Sequence, residues 1–239
     1  MTPILLSLGT FLSTFLGGLT GLKNHDKLHR LLGFTAGVVM GVVAFDLLPE
    51  IFESLNHGVT AREAMIALVA GFLLFHVIEK SILIHHSQEH YELHHHPQVG
   101  LASALALSGH SFLDGLGIGL GFQAGTSVGI AVAIAVIAHD FSDGLNTVTL
   151  MLVNRNNRRR AFTMLLVDAL APVAGAIVGT LVHISDGGLT LYLGFFAGFL
   201  LYIGASEILP EAHAKHSSYV TIALTIAGVV FMFLVTKYA

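Results

Sequence analysis

The sequence contains no cysteine, which excludes disulfides and thiolate metal sites and leaves the redox compartment unread. Charge is also scarce. Asp, Glu, Lys and Arg make up 11% of the 239 residues, against roughly 25% in an average soluble domain. No Gly-Lys-Ser/Thr phosphate cradle occurs, which argues against ATP as a driving force, and no His-Glu-x-x-His zinc-hydrolase motif occurs either. The N-terminus lacks a basic region and a small-x-small cleavage site, so Pro3 to Leu22 reads as a retained span and not a signal peptide.

What remains is apolar. Hydrophobic side chains make up 54% of the chain, the mean hydropathy is +0.78, and the charges gather into short islands between long apolar runs. Each run is near the ~20 residues that cross about 30 Å of hydrocarbon at 1.5 Å per residue. The expected fold is therefore all-α: a polytopic membrane protein, one transporter domain over 1–239, with spans at about 3–22, 31–55, 61–84, 98–123, 127–153, 161–184, 188–212 and 218–237. Its surroundings are the lipid bilayer, and no nucleic-acid partner is expected. With the N-terminus outside, nine basic residues (Lys23, Lys27, Arg30, Lys80, Arg155, Arg158, Arg159, Arg160 and Lys215) fall on the cytoplasmic side, and only Arg62 and Lys237 outside. The positive-inside rule favours that orientation, with both termini outside.

Two internal matches stand out. Gly33–Glu50 aligns without a gap on Gly194–Glu211 with 8 of 18 positions identical, setting Asp46 on Glu207 and Pro49-Glu50 on Pro210-Glu211. His110-Ser-Phe-Leu-Asp-Gly-Leu116 likewise matches His139-Asp-Phe-Ser-Asp-Gly-Leu145. Eight spans run each matched pair in opposite directions, and inverted repeats around a midplane site mark a secondary transporter.

The second match carries the chemistry. His110 and His139 each lie about twelve residues into a span, at ~18 Å of rise and so near the bilayer centre. Asp114 and Asp143 follow at i+4 on the same helix faces. An ionisable group at that depth costs about 2.5–3.5 kcal/mol on insertion scales. Two matched His–Asp pairs therefore call for a compensating partner, and a divalent cation supplies one. Two nitrogens and two oxygens suit four-coordinate Zn2+ and also admit Fe2+, Mn2+, Co2+ or Cd2+. The competing reading is a pair of structural His–Asp contacts that lock helices together. Ser111 and Asp140 follow the histidines and point to a second ion position, with helix–helix hydrogen bonding as the alternative for Ser111. Asp168, one turn before Pro172, is a route or second-position ligand. Asp46 and Glu207 fall near the two mouths of the path. The island His85–His96, in a cytoplasmic loop over 85–97, holds six of the fifteen histidines and suits weak metal capture.

With these residues the chain resembles the ZIP family of divalent metal transporters, prokaryotic type. The likeness covers the whole chain and is sharpest in the His-x-x-x-acid-Gly pattern at His110–Gly115 and His139–Gly144. The resemblance implies a 3+2+3 arrangement with inverted outer triplets. It implies zinc uptake into the cytoplasm across the plasma (inner) membrane, and admits a homodimer. It assigns His110, Asp114, His139 and Asp143 to a primary metal, and Ser111 and Asp140 to a second position. The chain departs from the family in having Ser111, Leu113 and Ser142, Asp instead of Glu as the acid, and Ala171 before the span-six proline. A shorter Asp reaches less well across two ions. A cation-diffusion-facilitator-like exporter and an intramembrane metal-dependent hydrolase are the competing classes; no enzymatic activity is expected of the favoured one.

Overall fold

The computed structural model describes residues 2–22, 29–56, 58–88, 97–214 and 218–238. Among them there is no strand. Lipid offers the backbone no hydrogen-bond partner, so each apolar run must satisfy its N–H and C=O groups internally as a helix. The helices are α1 (Thr2–Gly21), α2 (His29–Val42), α3 (Leu48–Glu53), α4 (Ala61–Gln88), α5 (Pro97–Ala124), α6 (Thr126–Val153), α7 (Arg158–Leu181), α8 (Asp186–Leu201), α9 (Leu209–Ala214) and α10 (Tyr219–Tyr238). Polar residues in the connecting islands set where several begin. Thr60 and Glu63 exchange reciprocal hydrogen bonds ahead of α4, a capping box. Asn157, Ser185 and Ser218 accept from Arg160, Gly188 and Thr221 at the starts of α7, α8 and α10.

α2 and α3 are one rod joined by a π-helical segment, Val43–Leu47, and α8 and α9 are joined the same way by Tyr202–Ile208. Both segments end two residues before a proline, Pro49 or Pro210. A proline offers no N–H to the carbonyl four residues back and its ring crowds that carbonyl; a wider turn absorbs the mismatch. Asp46 lies in the first segment and Glu207 at the matching place in the second.

Among the described residues, seven rods are long and apolar enough to cross a membrane. The eighth expected span is present as α5, 28 residues long, but its apolarity is diluted by Gly, Ser, His110 and Asp114. Along its second half Ser111 to Gly121 are mostly buried. Large apolar side chains of α1, α4 and α10 face outward, among them Leu5, Leu12, Val69, Leu73 and Phe233. Val39, Val42, Val132, Val136, Phe199 and Leu200 pack the interior between α2, α6 and α8. Residues 89–96 of the His-rich island lie outside the described residues.

The internal match extends to backbone contacts. The shift of 29 residues that carries His110 onto His139 also carries Phe112 onto Phe141 and Gly115 onto Gly144. Gly17 of α1 lies against the Phe141 carbonyl, and Gly144 lies against that of Thr14. Gly175 of α7 meets the Phe112 carbonyl, and Gly115 that of Pro172, in the same way. Outside these, Gly37 and Gly228 join α2 to α10 as Gly198 and Gly71 join α8 to α4. No side chain fits at such crossings, so glycine is what lets the rods approach. Pro172 does not break α7, which continues to Leu181; its backbone is the surface on which Gly115 sits.

Candidate metal centre

α5 and α6 place the two matched motifs side by side. The i, i+4 spacing turns His110 and Asp114 to one face of α5, and His139 and Asp143 to the facing side of α6. One ligand atom from each of the four lies within 4.8 Å of all the others. His110 Nε2 is 3.2 Å from Asp114 Oδ2 and 3.4 Å from Asp143 Oδ2. His139 Nε2 is 3.4 Å from Asp114 Oδ2 and 3.8 Å from Asp143 Oδ2. A tetrahedral zinc ion with bonds of 2.0–2.1 Å has ligand–ligand edges of about 3.3–3.4 Å, so the four atoms need only small adjustments.

These approaches are close without being hydrogen bonds. His110 Nε2, His139 Nε2, both oxygens of Asp114 and Asp143 Oδ2 are buried with no hydrogen-bond partner. A locked His–Asp pair would align an N–H with an oxygen, since buried polar groups are nearly always paired. Here four such atoms lie within 4.8 Å of one another instead. His139 is oriented for this: its Nδ1 lies 2.9 Å from the Ala135 carbonyl. A carbonyl only accepts, so Nδ1 carries a proton and Nε2 is the nitrogen turned to the cluster.

Hydroxyls from neighbouring helices hold the surrounding acids. Thr14 of α1 donates to Asp140 Oδ2 at 3.2 Å, while Asp140 Oδ1 has no hydrogen-bond partner and lies 3.9 Å from His139 Nε2. Ser111 of α5 and Thr147 of α6 donate to the two oxygens of Asp168 on α7, at 2.8 and 2.7 Å. Ser111 and Asp168 are thus brought together, but as donor and acceptor.

One approach to the centre is a cavity of about 460 Å³ lined by Ser103, Asn146, Thr149, Glu207 and Glu211 and reaching His110. Its lining lies toward the α5 start and the α6 end, where Asn156 donates to the Pro97 carbonyl and Arg155–Arg160 follow. His110 and Asp143 retain 11% and 8% side-chain exposure, whereas Asp114 and His139 have none. Glu207 therefore stands on the cavity wall. Asp46 does not join the four: it is buried, and Thr236 of α10 donates to it at 2.7 Å.

The sequence reading missed Thr14, Thr147 and Thr236, each hydrogen-bonded to an acid on another helix. A threonine in an apolar helix ordinarily bonds its own i−4 carbonyl, so no local pattern marks these three. Phe75 and Phe199, whose rings lie 5.8 and 4.7 Å from that of His110, and Tyr192 were missed as well.

Long apolar helices around a buried cluster of two imidazoles and two carboxylates define an integral membrane protein with a candidate cation centre inside the bilayer. Comparison with known proteins makes this particular. The profile of the family described as ZIP Zinc transporter matches residues 84–236, and the chain belongs to that family. It is 29% identical to the zinc transporter ZupT of Chlorobium chlorochromatii over 95% of this chain and 93% of that one. It is 25% identical to ZupT of Streptococcus mutans over 95% and 92%. It is 28% identical to the zinc transporter zipt-7.2 of Caenorhabditis elegans over 54% of this chain and 30% of that longer protein. Membership of a transporter family sets aside the exporter-class and hydrolase readings.

Proposed function

We propose that this protein carries zinc through the membrane, one ion per chain, by way of a centre formed by His110, Asp114, His139 and Asp143. The observation that carries the proposal is the convergence of four buried ligand atoms within 4.8 Å of one another, none of them hydrogen-bonded. A dication removes the cost of burying two carboxylates in hydrocarbon, and it can leave again because the cavity reaches His110.

The donor set is nitrogen and oxygen without sulfur. Zinc fits it best, and Fe2+, Mn2+, Co2+ and Cd2+ compete for it. Asp168 is not a ligand in this reading. Both its oxygens already accept hydroxyl protons, so it clips α5, α6 and α7 together where a second ion would otherwise draw on it. Asp140 faces the primary ion from one side and tunes its charge. Glu207 lies on the release route, and Asp46 is held by Thr236 near the opposite mouth.

The direction proposed is uptake across the plasma membrane. The cavity is lined by Ser103, Thr149 and Leu150, near the α5 start and the α6 end that Arg155–Arg160 follow, and the positive-inside rule makes that end cytoplasmic. Each chain holds a complete centre within its single 1–239 domain, so a homodimer would contain two separate paths. The test is zinc entry into proteoliposomes loaded with a zinc-sensitive dye. Saturable entry, reduced by competing Cd2+ and unaffected by ATP, is expected. No protein-dependent entry of any divalent ion would refute the proposal.

A further inference from the structure

Seven buried side-chain polar atoms lack a hydrogen-bond partner among the described residues. Six belong to His110, Asp114, His139, Asp140 and Asp143; the seventh is the Tyr192 hydroxyl. A buried hydroxyl in a membrane interior costs free energy unless another state of the protein pairs it.

Its surroundings place it beside the centre. Tyr192, Phe196 and Phe199 share one face of α8 at i, i+4 and i+7. Tyr192 stacks on Phe196 with ring centroids 5.9 Å apart, Phe196 tilts against Phe199 at 5.5 Å, and Phe199 meets the His110 ring edge-on at 4.7 Å. The Phe196 ring presses on Gly117 of α5, one turn beyond Asp114. This aromatic row therefore runs along α5 from His110 past Asp114, away from the cavity, whose share of the same rod is Tyr202 to Glu211. The ring on which Tyr192 stacks is thus the one that meets α5 three residues beyond Asp114.

Asp114 is the acid that needs a donor. Thr14 serves Asp140, and Ser111 and Thr147 serve Asp168. Asp114 is fully buried, and neither of its oxygens accepts a hydrogen bond. Its Oδ2 faces both histidines. An ion bound there leaves Oδ1 with no donor. Resting on the reading of Asp114 as a zinc ligand, we infer that Tyr192 is a positioning residue for transport: with the ion in place, its O–H donates to the Asp114 oxygen that the ion leaves free. The bond holds the carboxylate in a one-oxygen mode and fixes its direction, as hydrogen-bond partners behind metal ligands do.

Tyr192→Phe keeps the ring and its stack and removes only the hydroxyl. Zinc titration of the purified variant should show affinity lower by about ten-fold or more, and proteoliposome flux should show a matching rise in KM with Vmax within about two-fold. The melting temperature of the zinc-free protein should not fall, because the hydroxyl has no partner there. Tyr192→His, which keeps a ring donor, should recover part of the affinity and gives a second reading if Tyr192→Phe folds poorly. Wild-type affinity in Tyr192→Phe overturns the inference. So does a fall in zinc-free melting temperature with affinity unchanged, which marks a purely structural role. Asp114→Ala separates the two layers: if it also keeps wild-type zinc affinity, the four-residue centre itself is wrong, and not only the part given to Tyr192.

Discussion

At the scale of single residues, the centre divides into atoms that wait for a partner and atoms that already have one. His110, Asp114, His139 and Asp143 belong to the first group and Asp168 to the second. The division predicts a stoichiometry. Wild-type protein should bind one zinc per chain, measured by elemental analysis after dialysis, and Asp168→Ala should still bind one. The variant loses two hydrogen bonds to a carboxylate, each of the class worth about 1.5–3 kcal/mol, so its melting temperature should drop by several degrees. Two ions in the wild type and one in Asp168→Ala would make Asp168 a ligand after all. The four converging residues were legible in the sequence because i, i+4 spacing alone puts an imidazole and a carboxylate on one helix face. The hydroxyl partners of Asp168 were not legible, because they lie 57 and 21 residues away. Tyr192 gave no signal either, since one aromatic in an apolar helix looks like any other packing residue.

At the scale of elements, the repeat read from Gly33–Glu50 and Gly194–Glu211 reappears as two π-helical segments and as matched glycine crossings. Acids and prolines made the alignment visible; the glycine pairing needed coordinates, because the chain has 26 glycines and most leave no trace of their partners. Two glycines on α5 provide a contrast. A Cβ at Gly115 would strike the backbone of Pro172, whereas one at Gly109 meets nothing within 4 Å. Gly115→Ala should therefore unseat α5 from α7, giving low yield of folded protein or a melting temperature many degrees lower. Gly109→Ala should be neutral or slightly stabilising, since Ala is the better helix former by about 1 kcal/mol. Melting curves in detergent for the pair decide it. Equal behaviour of the two variants would mean that the α5–α7 crossing is not as close as described.

At the scale of the whole molecule, span positions were legible to within a few residues because length and hydropathy set them. α5 was read as a span in the same way, although Gly, Ser, His110 and Asp114 dilute its apolarity. The orientation across the membrane rests on the basic residues. Single cysteines at Asn157, which caps the start of α7, and at Gly187, in the first turn of α8, test it directly. The chain has no native cysteine to confuse the labelling. An impermeant maleimide added to intact cells should modify the cysteine at 187 and spare the one at 157. Modification of both from the same side would overturn the span order.

The most direct test of the central claim is the measurement of bound zinc and zinc flux together, on the same preparations of wild type, Asp114→Ala and His139→Ala. The account predicts one ion per wild-type chain. Each variant, folded by size-exclusion chromatography and melting, should hold far less zinc and carry it at a rate close to that of protein-free liposomes. Wild-type zinc content and wild-type flux in both variants would contradict it, and the His–Asp cluster would then be no more than a structural contact between α5 and α6.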